Sequence, residues 1–237
     1  SRGLGDVYKR QPLVLWHGAG CTLRMWDLVV EQLKEFYFTI AFDVRGAGKS
    51  INRDLNEDAY SFKKYSEDLN LILDFLNVDK VHLWSMAWGT RAAIAYSSLN
   101  PNKILSATFS DASIEKADIN AQKLGQKKAL TKQEELGIER FSLPQGWNIH
   151  VNEVSAAESL SAAAKFNLKP AFKKIGFPFM IMTGDYDPNL SSSRDMVSNS
   201  RTGELTILEN VGHGSVLQRP DLTVEYFLKW HKKILGE

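Results

Sequence analysis

Two observations predict an α/β protein that has a mainly parallel sheet flanked by helices and, in addition, a helical insertion. First, short apolar runs of strand length alternate along the chain with longer helical stretches. The predicted strands are residues 13–16, 38–42, 81–85, 104–109, 179–182 and 205–208, and the predicted helices are residues 25–35, 60–76, 88–99 and 222–235. Second, residues 114–176 show helical patches but no obvious buried strand, which indicates an insertion. Ligands bind at the carboxyl ends of parallel strands, so the motifs that follow each strand carry the functional prediction.

The segment before the first predicted strand, residues 1–11, has no periodicity and looks like a translated sequencing-library adapter. The transposon end GATGTGTATAAGAGACAG encodes residues 6–11, and the primer stretch before it encodes residues 1–5. We interpret residues 1–11 as a non-native segment of a metagenomic fragment and exclude them from the fold prediction.

The composition excludes several classes of protein. The 237 residues are 43% hydrophobic and 24% charged, with a net charge of +1, as in ordinary soluble domains. This balance predicts no binding to nucleic acid or to a membrane surface, and no apolar run is long enough to span a bilayer. The single cysteine, Cys21, excludes an internal disulfide bond and offers no metal cluster. We expect a cytoplasmic protein that acts on a small molecule without a metal or a cofactor; the oligomeric state stays open.

The first motif lies where the strand at residues 81–85 meets the helix at residues 88–99. The sequence there is Val-His-Leu-Trp-Ser-Met-Ala-Trp-Gly-Thr-Arg, in which Gly89 permits a sharp turn. A turn of this kind lifts one side chain above the sheet, in front of a helix N-terminus that favours developing negative charge. The motif therefore predicts a nucleophile elbow.

Glycines also follow the first predicted strand, in the sequence His17-Gly18-Ala19-Gly20. They allow the backbone to approach a bound oxygen, so that the N–H groups of Ala19 and Trp88 form an oxyanion hole. The alternative is a plain tight turn. His17 itself is predicted to make structural hydrogen bonds rather than to act as a base.

A second glycine-rich turn, Asp-Val-Arg-Gly-Ala-Gly-Lys-Ser at residues 43–50, follows the next strand. Its spacing differs from that of a phosphate-binding P-loop, so nucleotide binding is not predicted. We interpret the turn as structural, with Asp43 and Arg45 as a pair that fixes the loop.

The last two predicted strands are each followed by a candidate for acid–base chemistry. Asp187, in Gly-Asp-Tyr-Asp, is the predicted acid that orients the base, with Asp185 and Asp111 as secondary candidates. His213 lies between two glycines and is the predicted general base, because imidazole titrates near neutral pH. The alternatives are a turn-capping aspartate and a buried structural histidine. The remaining histidines lie in no such motif and are predicted to be ordinary: His82, His150 and His231.

Five motifs thus occur in the order found in the α/β-hydrolase family, which the chain resembles from residue 12 to residue 235. That family places a proline about fourteen residues after the nucleophile, so Pro101 points to Ala87, with Ser85 in place of the first glycine of Gly-x-Ser-x-Gly. The resemblance implies acyl transfer through a serine at this position, with His213 as base and Asp187 as its acid. Alanine has no hydroxyl, so the chain as written cannot form the covalent intermediate.

Three interpretations of Ala87 stay open. Ser85 is the nucleophile in a shifted register, or a serine has been exchanged for alanine, or the chain is a natural non-catalytic relative. Ser85 and Thr90 also stand where the family prefers glycine, and we expect their side chains to crowd the turn. The functional hypotheses are a hydrolase of small carboxylic esters or lactones that Ala87 inactivates or impairs, and a pseudoenzyme that binds a small ligand. The third hypothesis is a protein that serves only as a scaffold for interactions.

The resemblance also implies a division of the chain into a hydrolase core, residues 12–113 and 177–237, and a helical cap, residues 114–176. Short stretches at residues 22–27 and 110–113 are most similar to enol-lactone hydrolases and related carboxylesterases. Family members usually carry a hairpin before the first strand found here. We therefore expect that the chain lacks two strands and exposes an interior strand as an edge.

Overall fold

The computed structural model describes residues 10–54, 56 and 58–236, in which six strands form one parallel sheet of order β2-β1-β3-β4-β5-β6. The strands are β1 (Gln11–Trp16), β2 (Tyr37–Phe42), β3 (Val81–Met86), β4 (Ile104–Ser110), β5 (Phe179–Gly184) and β6 (Gly203–Leu208). The helices are α1 (Asp27–Leu33), α2 (Phe62–Phe75), α3 (Trp88–Leu99), α4 (Ile119–Glu135), α5 (Glu153–Ser159), α6 (Leu168–Phe172), α7 (Leu190–Ser198), α8 (Ser215–Gln218) and α9 (Pro220–Leu235). The predicted parallel sheet flanked by helices is confirmed.

Helices cover both faces of the sheet, and the side chains of each strand alternate between two cores. In β1, Val14 and Trp16 belong to the core beneath α2 and α3, whereas Leu13 and Leu15 belong to the core beneath α1 and α9. All four side chains are buried. The carboxyl ends of the strands are thereby held in fixed register, which positions the loops that follow them. No helix in the described part of the chain is both long and apolar enough to cross a membrane.

Residues 114–176, all of which the structure describes, form helices and no strand. Several long-range hydrogen bonds join this segment to the rest of the chain, and three of them illustrate where it docks. The Thr22 N–H donates to the Trp147 carbonyl at 2.7 Å, the Tyr65 hydroxyl to the Ser159 carbonyl at 2.7 Å, and the Trp88 indole N–H to the Leu160 carbonyl at 3.2 Å. These bonds reach loops and helices at the carboxyl side of the sheet, where the functional motifs lie.

The N-terminal segment that we predict to be non-native lies mostly outside the described residues, which begin at Arg10. Gln11 opens β1, pairs with Tyr37 of β2, and accepts a hydrogen bond from His82 Nε2 at 2.5 Å. The strand thus begins at Gln11, one residue before the boundary that we predict for the native chain, and the non-native origin of residues 1–11 stays a prediction. Within the described part of the chain β2 pairs only with β1, so β2 is one edge of the sheet.

The predicted pairing of Asp43 with Arg45 is wrong. The Arg45 guanidinium binds Asp68 on α2, with Nη2 2.6 Å from Oδ1, and approaches Asp54 at 3.4 Å. The Asp43 carboxylate instead accepts the backbone N–H groups of Leu23 and Lys49 at 2.7 and 3.0 Å. The reason is that unpaired backbone N–H groups around this turn need an acceptor, and α2 presents a second carboxylate to the arginine.

Two of the histidines predicted to be ordinary form a buried pair between the sheet and α9. The Tyr37 hydroxyl lies 2.6 Å from His231 Nδ1, and His231 Nε2 lies 3.0 Å from His82 Nδ1. His82 Nε2 in turn donates to Gln11. Burial disfavours the charged form of both imidazoles, and this chain of hydrogen bonds is complete with one proton on each ring. No sequence pattern indicates the pair, because its members lie 149 residues apart.

Acid is expected to destabilise the fold through this histidine pair. Burial lowers the pKa of His82 to about 3, with the neighbouring His231 adding to the effect, and burial lowers the pKa of His231 to about 4. In the unfolded chain both imidazoles take up protons near about pH 6.5, whereas the folded chain keeps them neutral well below that pH. Their contribution to stability is complete above about pH 7 and falls below about pH 6.5, by about 1.4 kcal/mol per pH unit for each histidine.

The measurement is the free energy of unfolding in urea at several pH values from neutral to mildly acidic. His231→Phe removes one titrating group and keeps an aromatic ring against Phe227, so its pH profile should be shallower than that of the parent chain. His150→Gln, outside the pair, serves as the control. A His231→Phe profile as steep as the parent's would contradict this prediction.

Candidate active site

Ala87 forms the turn between β3 and α3 and has a strained backbone, with φ 51° and ψ −110°. Its N–H donates to the Ser110 carbonyl at 2.8 Å, which ties the turn to the end of β4. Gly89 allows the close approach: a Cβ atom there would lie 2.3 Å from the His17 carbonyl oxygen and 2.7 Å from that of Trp16. The geometry is that of a sharp strand-to-helix elbow with residue 87 at its tip.

Ser85 and Thr90, whose side chains we expect to crowd this turn, are hydrogen-bonded to each other. The two hydroxyl oxygens lie 3.0 Å apart, and Thr90 Oγ1 is 3.3 Å from the Ser110 carbonyl oxygen. Both side chains are completely buried. Because the Thr90 hydroxyl donates to the Ser110 carbonyl, the Ser85 hydroxyl donates to Thr90, and both buried O–H groups have an acceptor. Ser85 does not line the cavity described below, and its hydroxyl is already bonded.

The predicted base and acid are brought together from two different loops. His213, between β6 and α8, has its Nδ1 3.0 Å from Oδ2 of Asp187, between β5 and α7. The other carboxylate oxygen of Asp187 accepts the Asn189 N–H at 2.9 Å. Asp187 is buried, and the bond to its carboxylate assigns the proton of neutral His213 to Nδ1. Nε2 is then left to accept a proton.

The pKa of His213 is raised above its ordinary value. Burial alone would lower it, but the hydrogen bond to Asp187 and the negative charges of Asp111 and Asp187 outweigh burial. These carboxyl groups stabilise the imidazolium form, which is what a base needs after it has taken a proton. His17, by contrast, is buried and accepts the Val44 N–H on Nε2 at 3.1 Å, the structural role that we predicted for it.

Asp111, a secondary candidate, anchors the loop that carries His213. Its Oδ2 accepts the Gly214 and Ser215 N–H groups at 3.0 and 2.8 Å and the Ser215 hydroxyl at 3.1 Å. Its Oδ1 has no hydrogen-bond partner among the described residues. Complete burial and the charge of Asp187 raise the pKa of Asp111 to about 7. Asp185, the other secondary candidate, is exposed and accepts the Val211 N–H at 3.2 Å.

Asp111, Asp187 and His213 also have the residue types of a metal site, with one potential ligand atom from each within 4.8 Å of the others. These groups already have hydrogen-bond partners. His213 is bonded to Asp187, and Asp111 accepts three hydrogen bonds from Gly214 and Ser215, which follow His213. A cation would have to compete with these bonds. We therefore interpret the cluster as a base with two carboxyl neighbours.

A small cavity of about 200 Å³ connects the elbow, the base and the helical insertion. Its lining residues are Ala19, Ala87, Trp88, Arg91, Ser113, Ala117, Ile119, Gln122, Leu160, Asn189 and His213. The predicted oxyanion residues Ala19 and Trp88 thus lie beside position 87, and Trp88 begins α3, where backbone N–H groups lack partners within the helix. A larger cavity of about 570 Å³ lies beside the Arg45–Asp68 pair and contains none of the predicted site residues. Because Ala87 and His213 line the cavity of about 200 Å³, we take that cavity as the candidate active site.

The sequence did not reveal every polar residue of the cavity. Arg91, Gln122 and Asn189 line it, and Asn189 also donates to the Asp111 carbonyl at 2.9 Å. Arg91 lies four residues after Ala87 on α3, a spacing that places it one turn from the elbow and that offered a usable signal. Gln122 comes from the insertion, and only the folded chain brings it to the site.

Comparison with known proteins agrees with this geometry. A family model described as the alpha/beta hydrolase fold matches residues 11–236. A proline iminopeptidase of Lactobacillus helveticus is 28% identical over 154 residues, a match that covers 62% of this chain and 51% of the relative, so the chain spans about half of that relative's length. The 3-oxoadipate enol-lactonase 1 of Acinetobacter baylyi is 22% identical over 241 residues, covering 94% of this chain and 89% of the relative.

Among solved structures, a thermophilic esterase from Thermogutta terrifontis is similar with a TM-score of 0.74. The superposition covers 94% of this chain and 90% of the esterase, at 17% sequence identity, and this likeness concerns the fold. The family model, however, extends over nearly the whole chain and agrees with the parallel sheet and the elbow at Ala87. The chain therefore belongs to the family with the alpha/beta hydrolase fold.

Proposed function

We propose that the chain carries the machinery of a hydrolase for small carboxylic esters or lactones, and that Ala87 inactivates or impairs it by occupying the nucleophile position. The observation that carries this proposal is the pair His213–Asp187, joined at 3.0 Å, on the same cavity as the strained turn at Ala87. A binding pocket alone does not need an aligned base and acid. The relatives named as an enol-lactonase and an esterase agree with this class of substrate.

The residues have separate roles in the proposed reaction. With a serine at position 87, His213 Nε2 takes the hydroxyl proton while the oxygen attacks the carbonyl carbon. The N–H groups of Ala19 and Trp88 bind the oxygen that becomes negative, and Asp187 stabilises the imidazolium. His213 then gives its proton to the departing alcohol, and a water molecule releases the acyl group by the reverse steps. With Ala87, only a water activated directly by His213 remains.

Residues 114–176 act as a cap in this proposal. Four of them, Ala117, Ile119, Gln122 and Leu160, form part of the cavity wall. A cap that excludes water strengthens the electrostatic interactions around the reacting carbonyl. The residues of the cap also determine which acyl and alcohol groups fit.

The test is hydrolysis of short-chain aryl esters and lactones by the parent chain and by Ala87→Ser. Turnover by the serine variant alone supports the proposal and identifies alanine as a block. Turnover by the parent chain alone would contradict the assignment of position 87. Lack of turnover by both folded proteins would contradict the hydrolase proposal.

The second candidate is a pseudoenzyme that binds a small ligand in the same cavity. It is favoured by the alanine itself and by the mutual hydrogen bond of Ser85 and Thr90, which adapts the turn to two side chains larger than glycine. A ligand that raises the melting temperature of the parent chain, without turnover by either protein, would support this candidate.

A further inference from the structure

Arg91 places a positive charge on the wall of the candidate cavity, and no carboxylate of the described residues pairs with it. The side chain is half-buried, and Nη2 donates to the backbone carbonyl of Glu115. The Glu115 carboxylate itself binds Lys169 at 2.9 Å. Burial lowers the pKa of Arg91 and the charge of Glu115 raises it, but a guanidinium stays protonated in proteins.

The rest of the cavity wall does not neutralise this charge. None of the lining residues in the described part of the chain is acidic, and the polar ones near Arg91 are the neutral side chains of Ser113, Gln122 and Asn189. A guanidinium has five N–H donors, and the bond to Glu115 uses one of them. A partly desolvated cation with free donors favours an anion that enters the cavity.

We infer that the cavity takes small esters or lactones that carry a carboxylate, and that Arg91 binds this carboxylate. The inference rests on the proposed function of the same site. A planar guanidinium holds a carboxylate by two parallel hydrogen bonds, which gives orientation as well as affinity.

The position of Arg91 on α3 limits the size of the ligand. Arg91 lies about 6 Å along the helix axis from residue 87, and helical side chains lean back toward the N-terminus, which here is the elbow. The reacting carbonyl and the carboxylate are thus separated by a short carbon chain. A cavity of about 200 Å³ holds a molecule of this kind.

The probes are two pairs of matched small molecules. Monomethyl succinate has its carboxylate on the acyl side of the ester and dimethyl succinate is its neutral counterpart, while acetylglycolate and its methyl ester place the charge on the alcohol side. Calorimetric titration of the parent chain at neutral pH measures each Kd, because Ala87 suppresses turnover. In at least one pair, the charged member is expected to bind at least about tenfold more tightly than the neutral one.

Variants at position 91 assign this preference to the guanidinium. Arg91→Gln should abolish it, and Arg91→Lys should keep part of it, because lysine retains the charge without the two parallel bonds. Arg140→Gln is the matched control, since Arg140 is exposed and pairs with Glu134 on α4. Thermal melting checks that each variant folds, and the comparison of charged with neutral ligands on the parent chain needs no variant. Equal affinity within both pairs, lack of binding by all four probes, or a preference that survives Arg91→Gln overturns the inference.

The same probes separate this inference from the proposed function. If the parent chain prefers the charged ligand through Arg91 but Ala87→Ser hydrolyses none of the four, the carboxylate site stands and the hydrolase proposal falls. If Ala87→Ser hydrolyses charged and neutral esters with equal kcat/KM, the hydrolase proposal stands and the role of Arg91 falls.

Discussion

Restoring the nucleophile and then removing the base is expected to produce two large and strongly coupled changes. Ala87→Ser should raise kcat for para-nitrophenyl acetate by about 10⁶-fold over the parent chain, the size of the loss when a triad serine is removed. His213→Ala in the serine chain should lower kcat by a similar factor of about 10⁶. The reason is that hydroxyl and imidazole act as a unit, because His213 has a hydroxyl proton to accept from position 87 only when a serine stands there.

A double-mutant cycle measures this coupling. His213→Ala in the parent chain is expected to change the residual rate far less than it changes the rate of the serine chain, since without a serine at position 87 His213 has only a water molecule to activate. His150→Ala in the serine chain is the control, because His150 lies outside the cavity wall. Independent effects of Ala87→Ser and His213→Ala on kcat would show that the two positions do not form one catalytic unit.

Features that depend on local sequence could be predicted for this chain. The strand, turn and helix around Ala87 follow from an apolar run, a glycine and helix-forming residues within a few positions. The loops at Asp187 and His213 follow strands that are recognisable by their own composition. Parallel strands bring such loops to one edge of the sheet, and so the base and its acid could be placed together without knowledge of the distances.

Features that depend on contacts between distant segments could not be predicted. Arg45 pairs with Asp68 rather than Asp43, and His82 meets His231 across the sheet and α9. Each contact is decided by the angle at which one element packs on another, which hydrophobic periodicity does not specify. The hydrogen bond between Ser85 and Thr90 belongs to the same class of feature. The resemblance to the hydrolase family predicts crowding there, and the fold places the two hydroxyl oxygens 3.0 Å apart.

Mutation distinguishes which acid orients His213, because the carboxyl groups of Asp111 and Asp187 both lie close to this histidine. In the Ala87→Ser chain, Asp187→Asn is expected to lower kcat by about 10⁴-fold. The single amide oxygen of asparagine cannot accept both the Asn189 N–H and the Nδ1 proton, so with the oxygen on Asn189 the amide NH2 group faces Nδ1 and the imidazole adopts the wrong tautomer. Asp111→Asn is the matched change: its side-chain oxygen can still accept from the histidine loop, so kcat should fall far less.

The pH profile provides an independent measurement of the same two variants. The negative charges of Asp111 and Asp187 raise the pKa of His213, so removing either charge lowers that pKa. The base must be neutral to act, and the rise of kcat/KM with pH should therefore move to lower pH in both variants. In Asp111→Asn we expect the pH profile to move while most of the maximal kcat/KM is retained. In Asp187→Asn we expect the same movement together with the large loss of activity. The opposite order of losses would identify Asp111 as the acid that orients His213.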